Sequence, residues 1–161
     1  MSRCSGDDHY LDPASGVLRN HLGITDAAQL EQAEAALVAI RSYELLRIPL
    51  QGGFDLAHLQ AIHRQLFSDL YEWAGQLRTI DISKGNNRFA HHAHIAGAAA
   101  TLFKQLAEEK NLAGLDAASF SNRAAYYLGE LNALHPFREG NGRAQREFAS
   151  HLAHVNGYYI A

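Results

Sequence analysis

The chain has 161 residues, of which 47% are apolar, enough to build the core of one domain. Its net charge of −3 provides no basic field, no apolar run is long enough to cross a membrane, and the N-terminus lacks the apolar stretch of a signal peptide. The single cysteine, Cys4, cannot form an internal disulfide, so we expect one cytoplasmic domain, residues 1–161, without direct contact to nucleic acid or membrane.

Residues 1–22 are predicted to be irregular, because the segment from Asp12 to Gly16 has the composition of a turn. Most of the remaining chain shows apolar residues at helical spacing. The predicted helices run from Asp26 through Leu30, Ala33, Leu37 and Ile40; from near Asp55 through Leu70; from about Ile95 to Lys110; from about Phe120 to Leu134; and from Gly142-Arg143 to Val155. The fold class is therefore mainly α, a helical bundle.

One stretch departs from helical spacing. From Leu77 to Ile82 the side chains alternate between two faces, with Arg78, Ile80 and Ile82 on one and Leu77, Thr79 and Asp81 on the other. A glycine- and asparagine-rich turn at Gly85–Asn87 follows, and then Arg88-Phe89-Ala90. This pattern predicts a short β-hairpin over residues 77–90. A two-stranded hairpin is marginal alone, so it must lean on the helices, and we expect one of its edges to remain open.

The segment 135–146 carries the chemistry. Arg143 and Arg146 lie in the first turn of the last predicted helix, where the helix dipole disfavours cations unless an anion is bound between them. Gly140-Asn141-Gly142 lets backbone N–H groups approach that anion closely. The charge count indicates a diphosphate or triphosphate.

Two further residues complete the pattern. Glu139 would repel a phosphate unless a cation lay between them, and Mg²⁺ binds through carboxylates and phosphate oxygens. His135 can accept a proton near neutral pH, and Phe137 is expected to anchor the loop in the core. Each residue alone is commonly structural, but the set indicates transfer of a phosphorus group from a nucleotide to a hydroxyl.

The segment from His135 to Arg146 resembles the motif H-x-F-x-[D/E]-G-N-G-R-x-x-R of the Fic family, and every motif position is matched. Similarity continues upstream: the stretches Tyr71–Thr79 and Ile82–Phe89 resemble the family's approach to its β-hairpin flap and the flap itself. The segment Tyr10–Asn20 is similar to the start of stand-alone bacterial Fic toxins of toxin–antitoxin modules. The resemblance implies a Fic-fold helical bundle with the flap beside the active-site loop.

The resemblance also implies an activity: transfer of AMP from ATP to a hydroxyl side chain of a protein, with His135 as general base and Glu139 as the Mg²⁺ ligand. The residues implied to contact ATP are Lys84, Gly85, Asn86, Asn87, Asn132, Arg138, Glu139, Gly140, Asn141, Gly142, Arg143 and Arg146. The flap residues implied to bind an extended target segment are Lys84, Gly85, Asn86, Asn87, Arg88 and Phe89. Similar toxins modify type II topoisomerase subunits.

The sequence lacks an inhibitory motif, and this absence bears on how the implied activity would be regulated. Many family members carry an inhibitory [S/T]-x-x-x-E-[G/N] helix, but the only glutamate here followed by Gly or Asn is Glu139 itself, with His135 four residues earlier. Either a separate small antitoxin supplies a glutamate to Arg146, or the helix lies beyond Ala161. The toxin-like N-terminal segment favours the antitoxin.

Three other interpretations remain open. Relatives of the same fold transfer phosphate or phosphocholine, although the loop changes typical of them are absent. A metal-dependent hydrolase could use the histidines His91, His92, His94, His151 and His154, but no HExxH ligand set is present. A non-catalytic binding module would not need both His135 and Glu139.

Overall fold

The computed structural model describes residues 3–4 and 7–160, and these confirm the mainly helical class. The helices are α1 (Ala27–Arg47), α2 (Leu56–Phe67), α3 (Ile95–Glu108), α4 (Ala117–Leu134) and α5 (Asn141–Val155), with 3₁₀ turns at His92–His94 and Lys110–Leu112. The strands are β1 (Arg3–Cys4), β2 (Ile82–Lys84) and β3 (Asn87–Arg88). Within these described residues no helix is both long and apolar enough to cross a membrane.

Aspartates start three of the helices. The carboxylates of Asp26, Asp55 and Asp116 accept hydrogen bonds from backbone N–H groups three residues later, each at 2.8–2.9 Å. Such a cap is worth about 1 kcal/mol. The predicted starts near Asp26 and Asp55 are confirmed, whereas α4 begins three residues before the predicted Phe120 because Asp116 caps it.

The core is centred on α2, which packs against α1, α3 and α5. Leu59, Ile62 and Leu66 of α2 are fully buried, and burying each such side chain contributes roughly 1.5–3 kcal/mol. Ile40, one of the apolar residues at helical spacing in α1, is 56% exposed. Val38 takes the core position instead.

The hairpin differs from its prediction in two ways. Its first strand begins at Ile82 rather than Leu77. The reason is that Arg78 is buried and its guanidinium donates to backbone carbonyl groups that are not part of the sheet. The sheet also has three strands in the order β1-β2-β3, since Arg3 pairs antiparallel with Ser83. One edge of β2 is thus covered by β1, and the outer edge of this sheet on the hairpin side belongs to β3.

Candidate active site

The site is built on the loop between α4 and α5, residues 135–140, called the motif loop below. His135 is the C-cap of α4: its N–H donates to Leu131 O at 2.9 Å and its φ is +48°. A left-handed conformation at a residue other than glycine costs about 1 kcal/mol or more. It ends the helix abruptly, so the imidazole lies where the chain changes direction.

The imidazole of His135 is neutral at neutral pH. Burial lowers the pKa of His135 to about 4; the nearby charges of Arg78 and Lys84 lower it further, while the Asn132 carbonyl opposes this. Nδ1 lies 3.3 Å from the Asn132 carbonyl oxygen and donates its proton there. Nε2 is then left as the acceptor, as a general base requires.

The flap, residues 82–89, contacts this imidazole through one ring. Phe89 stacks on His135 with ring centroids 3.7 Å apart and planes 11° from parallel. The tip of the flap, Lys84 to Arg88, is exposed. Of the flap residues expected in the site, Phe89 therefore covers one face of the imidazole, while the tip faces solvent.

Arg78 ties the flap to the end of α4, which the sequence reading missed. Its guanidinium, 2% exposed, donates to the carbonyl oxygens of His135 at 2.7 Å and Leu134 at 3.0 Å. It also donates to Ile80 O at 2.7 Å and to Ala90 O. One buried cation thus satisfies helix-end carbonyls and both arms of the flap base.

The motif loop is closed on itself by Asn141. The Asn141 side chain accepts from Phe137 N–H at 2.8 Å and donates to Phe137 O at 2.7 Å. Asn141 is 2% exposed and its side-chain amide is occupied by these two bonds. Only its backbone N–H can face a phosphate.

His63 of α2 contacts the motif loop at Glu139 and Phe137. Its Nδ1 accepts from Gly75 N–H and its Nε2 donates to Glu139 O, both at 2.9 Å, and its ring stacks on Phe137 at 3.9 Å. Burial lowers the pKa of His63 to about 4, so the ring stays neutral and keeps this donor–acceptor pattern. The sequence reading left His63 as an ordinary helix residue.

Gly140 is required by a close approach. Its φ is +79°, and a Cβ atom added there would lie 2.2 Å from the ring of Phe67. Gly142 differs, since a Cβ there would meet nothing within 4 Å. The first glycine of the motif is therefore fixed by packing, and the second leaves open space above the helix start.

The start of α5 is suited to bind an anion. Gly140 is the N-cap and no side chain caps the helix, so the N–H groups of the first turn lack both intrahelical and side-chain partners. The positive end of the helix dipole lies at the same place. Backbone donors from Asn141, Gly142 and Arg143 are available to phosphate oxygens.

Glu139 fits a cation beside this anion site. Its Oε1 accepts from Gly140 N–H at 3.2 Å, but its Oε2 is buried without a hydrogen-bond partner among the described residues. The carboxylate lines a cavity of about 360 Å³ together with Glu34, Tyr71 and Arg143. A buried carboxylate oxygen without a donor is the group that Mg²⁺ would satisfy.

Arg143 is held within this cavity by an acid that the sequence did not indicate. Its guanidinium pairs with Glu34 of α1 and lies over the ring of Phe67, 4.8 Å from the centroid. Glu34 also accepts from the hydroxyl of Tyr71, and burial together with this bond raises the pKa of Tyr71. A phosphate that binds Arg143 must share it with Glu34 or displace Glu34.

The remaining expected residues separate into two groups. Arg146 and Asn132 are exposed; Arg146 lines an apolar groove with Tyr43, Leu46 and Ile160. Arg138 is 4% exposed and its Nη2 lies 2.6 Å from Asp8 Oδ2, in an equally buried ion pair. Its guanidinium thus anchors the N-terminal segment, while its Nη1 has no hydrogen-bond partner among the described residues, and contact of Arg138 with ATP stays a prediction.

The histidines of the hydrolase interpretation do not form one site. His151 is buried beside His58, with ring centroids 5.9 Å apart, and neither of its nitrogens has a hydrogen-bond partner within the described ranges. His91 and His92 lie instead at the base of the flap, near Asp81. The group of possible metal ligands among the described residues that contains His91 and His92 is completed by Asp81 and does not include His151 or His154.

Comparison with known families agrees with this geometry. The model of the Fic/DOC family matches residues 53–153, which span α2 to α5. The chain belongs to the Fic/DOC family. Within this Fic domain the match includes the flap, the motif loop and all motif residues, while α1 and the N-terminal segment precede it.

Named relatives are similar over nearly the whole domain. The protein adenylyltransferase VbhT of Bartonella schoenbuchensis is 55% identical over 96% of this chain, which spans 32% of VbhT. The probable protein adenylyltransferases Fic of Salmonella typhimurium and Escherichia coli are 46% and 44% identical over 97% of the chain, which spans 77% of each. Thus the chain corresponds to about a third of VbhT and to most of the two enterobacterial proteins.

Solved structures share the fold. BepC of Bartonella tribocorum with bound AMPPNP matches with a TM-score of 0.87 and 30% identity, over 94% of this chain and 80% of that one. A Fic domain of Bartonella quintana with bound ADP matches with the same TM-score and 31% identity, over 94% and 78%. Both of those structures hold an adenine nucleotide.

Proposed function

We propose that this Fic domain is a protein adenylyltransferase that moves AMP from ATP to a hydroxyl side chain of a target protein. The observation that carries the proposal is the imidazole of His135, with Nδ1 on the Asn132 carbonyl and Nε2 free of that contact, in the loop that leads to an uncapped helix start. A base and an anion site in this arrangement suit attack of a hydroxyl on a bound phosphate. Named adenylyltransferases similar over most of the chain support the same assignment.

The proposed reaction uses few groups. Nε2 of His135 takes the proton of the target hydroxyl, whose oxygen attacks the α-phosphorus of ATP; the bond to the β-phosphate oxygen breaks and diphosphate leaves. The N–H groups at the start of α5 stabilise the charge that develops on the phosphate oxygens, an effect worth roughly 3–4 kcal/mol per donor in other enzymes. Arg143 and Arg146 bind the distal phosphates.

Glu139 would hold Mg²⁺, since its Oε2 lacks a partner and lies beside the anion site. The ion supplies charge neutralisation of the phosphates when it is bound. His63 positions Glu139, because its Nε2 donates to Glu139 O while its Nδ1 is held by Gly75 N–H outside the motif loop, and so keeps this carboxylate at the helix start.

The flap is proposed to bind the target. An extended target segment would pair with the outer edge of β3 and place its hydroxyl next to His135. The stacking of Phe89 on His135 would set the distance between the flap and the imidazole. The exposed tip residues Lys84 to Asn87 would then close over ATP, target or both. Because ATP is an intracellular substrate, we place the reaction in the cytoplasm.

The proposal extends to regulation as a bacterial toxin. Arg146 lies in a groove with Tyr43 and Leu46 of α1, which are 60% and 73% exposed. A small antitoxin helix could cover this apolar surface and present a glutamate to Arg146. A type II topoisomerase subunit is the target class implied by resemblance to similar toxins.

The test compares ATP labelled on the α-phosphate with ATP labelled on the γ-phosphate, in lysate with the purified protein. We expect only the α-label to reach a protein, with a mass increase of one AMP. His135→Ala should abolish labelling, and His154→Ala, which changes an exposed histidine of α5 far from the loop, should not. Protein label from the γ-phosphate alone would overturn the assignment in favour of phosphate transfer.

A further inference from the structure

A second site lies at the base of the flap. Asp81 directly precedes β2, and His91 and His92 follow β3 after two intervening residues. One ligand atom from each of the three side chains lies within 4.8 Å of the others, the single group of this kind among the residues described. These residues take no part in the proposed AMP transfer.

The distances resemble those of a metal centre. His92 Nδ1 lies 2.9 Å from Asp81 Oδ1, and His91 Nε2 lies 3.4 Å from Asp81 Oδ2. Ligands about 2.1 Å from a tetrahedral metal are separated from one another by about 3.4 Å. Each imidazole is thus near this separation from one oxygen of Asp81, and since the three ligand atoms lie within 4.8 Å of one another, rotations of these partly exposed side chains would bring them to a common ion.

We propose that Asp81, His91 and His92 form a binding site for a divalent transition metal of the Zn²⁺ class. Two imidazoles and one carboxylate suit Zn²⁺, whereas Mg²⁺ prefers oxygen ligands only. The fourth position is left for water or for His94, whose ring centroid is 5.4 Å from that of His91. The site is thus chemically distinct from the cation site at Glu139.

The surroundings support and oppose the ion in definable ways. The backbone N–H of His92 donates to Asp81 Oδ1 at 2.8 Å and its ring Nδ1 lies 2.9 Å from the same atom, so these contacts hold the carboxylate beside the imidazole. Arg78 Nη1, 3.9 Å from Asp81 Oδ1, opposes a second cation, but its guanidinium is already bound to carbonyls. A metal on His91 Nε2 requires the ring proton to be on Nδ1, which can then no longer accept its 3.2 Å hydrogen bond from Ala93 N–H. The ring is half-exposed, so this surface contact can be given up.

The position of the site indicates what bound metal would do. The ligands come from both arms of the flap, so an ion would cross-link the segment before β2 to the segment after β3. Phe89, which stacks on His135, is two residues before His91. Bound metal would therefore keep the distance between the flap and His135 constant. This role is structural and separate from the AMP transfer itself.

The experiment titrates the purified protein with Zn²⁺ by calorimetry in excess Mg²⁺, beside His91→Ala, His92→Ala and His154→Ala. We expect one Zn²⁺ per chain, a loss of affinity of about 100-fold or more in the first two variants, and wild-type binding in His154→Ala. Circular dichroism checks that each variant is folded. Co²⁺ should give the intense visible absorption of a tetrahedral site in the wild type only when His91 and His92 are present.

Two results would overturn the proposal. One is the absence of stoichiometric Zn²⁺ binding by the wild type in excess Mg²⁺. The other is equal binding by wild type, His91→Ala and His92→Ala, which would place the ion elsewhere, for example at His151 and His154. Either outcome leaves AMP transfer by His135 unaffected, so the two proposals fail separately.

Discussion

The motif loop and the flap face each other across the contact between His135 and Phe89, yet they are held in opposite ways. Within the loop, Asn141 and His63 use their side-chain hydrogen bonds to fix the backbone. The flap tip is exposed and is held mainly at its base, by Arg78. The loop thus has fixed backbone groups, as the proposed nucleotide contact requires, whereas the flap has an exposed surface, as the proposed binding of a protein target requires.

Gly140→Ala should break the loop most strongly. A Cβ atom 2.2 Å from the Phe67 ring must move the helix start, so we expect AMP transfer to fall by at least about 100-fold and stability by roughly 1–3 kcal/mol. Labelling with ATP and thermal unfolding measure the two effects.

Gly142→Ala is the matched control for Gly140→Ala. It has open space and an ordinary helical φ, so its melting temperature should equal or exceed that of the wild type even if ATP binding weakens. Equal melting temperatures for the two alanine variants would contradict the assigned role of Phe67.

Arg78→Met tests the link between the two regions. Removing the guanidinium leaves the buried carbonyls of Leu134 and His135 without a donor, so we expect a loss of about 3 kcal/mol or more in the free energy of unfolding. Urea denaturation measures the loss. Arg88→Met, at the exposed flap tip, should change stability by less than about 0.5 kcal/mol, and a similar loss in both variants would refute the assigned anchor.

Acid should separate stability from catalysis. Burial lowers the pKa of His63 and of His151 to about 4 from 6.5, so the unfolded state binds more protons below pH 6.5 and stability falls as the pH drops from 6.5 towards 4. His151→Leu removes a ring without hydrogen bonds, and its stability should fall less steeply over this range, by about 1–3 kcal/mol at pH 4.5.

The activity should respond to a different histidine. The pKa of His135 is about 4, so AMP transfer by the folded protein should remain constant from pH 8 down to pH 6 as far as this base is concerned. His151→Leu should leave that profile unchanged. A rate that falls with an apparent pKa near 6.5 would show that the imidazole is more solvated than the stacked arrangement with Phe89 allows.

Glu34→Gln should have the smallest effect and the opposite sign. It removes the charge that engages Arg143, so we expect ATP to bind about 3- to 10-fold more tightly, as measured by calorimetry with a non-hydrolysable analogue. Glu31→Gln is the control, since Glu31 lines the same cavity but is exposed. Weaker ATP binding in Glu34→Gln would mean that Glu34 orients Arg143 rather than competes for it.

The sequence was sufficient for features that depend on neighbouring residues. Helical spacing and aspartate caps predicted the helices, and Gly140-Asn141-Gly142 marked the helix start at which the anion site is proposed. The start of α4 was predicted three residues late, although Asp116 followed by Ser119 offers the same local cap signal as Asp26 and Gln29.

The sequence was insufficient where distant residues pair. Glu34 meets Arg143 across more than a hundred residues of chain, and Arg78 meets the end of α4 only after the helices have packed. The ion pair of Arg138 was missed for the same reason, since nothing adjacent to Arg138 shows that Asp8 will neutralise it. An arginine in a phosphate-binding motif looks the same whether its partner is a ligand or a buried acid.

The pair of Asp8 and Arg138 has a practical consequence for dissecting this protein. The family match at residues 53–153 would suggest a minimal fragment with those ends. Such a fragment would lack the whole of α1 and also Asp8, the acid that neutralises the buried guanidinium of Arg138. We therefore expect a stably folded fragment to begin before the region by which the family is detected, at or ahead of residue 8. Truncations for expression or crystallisation should keep that N-terminal segment.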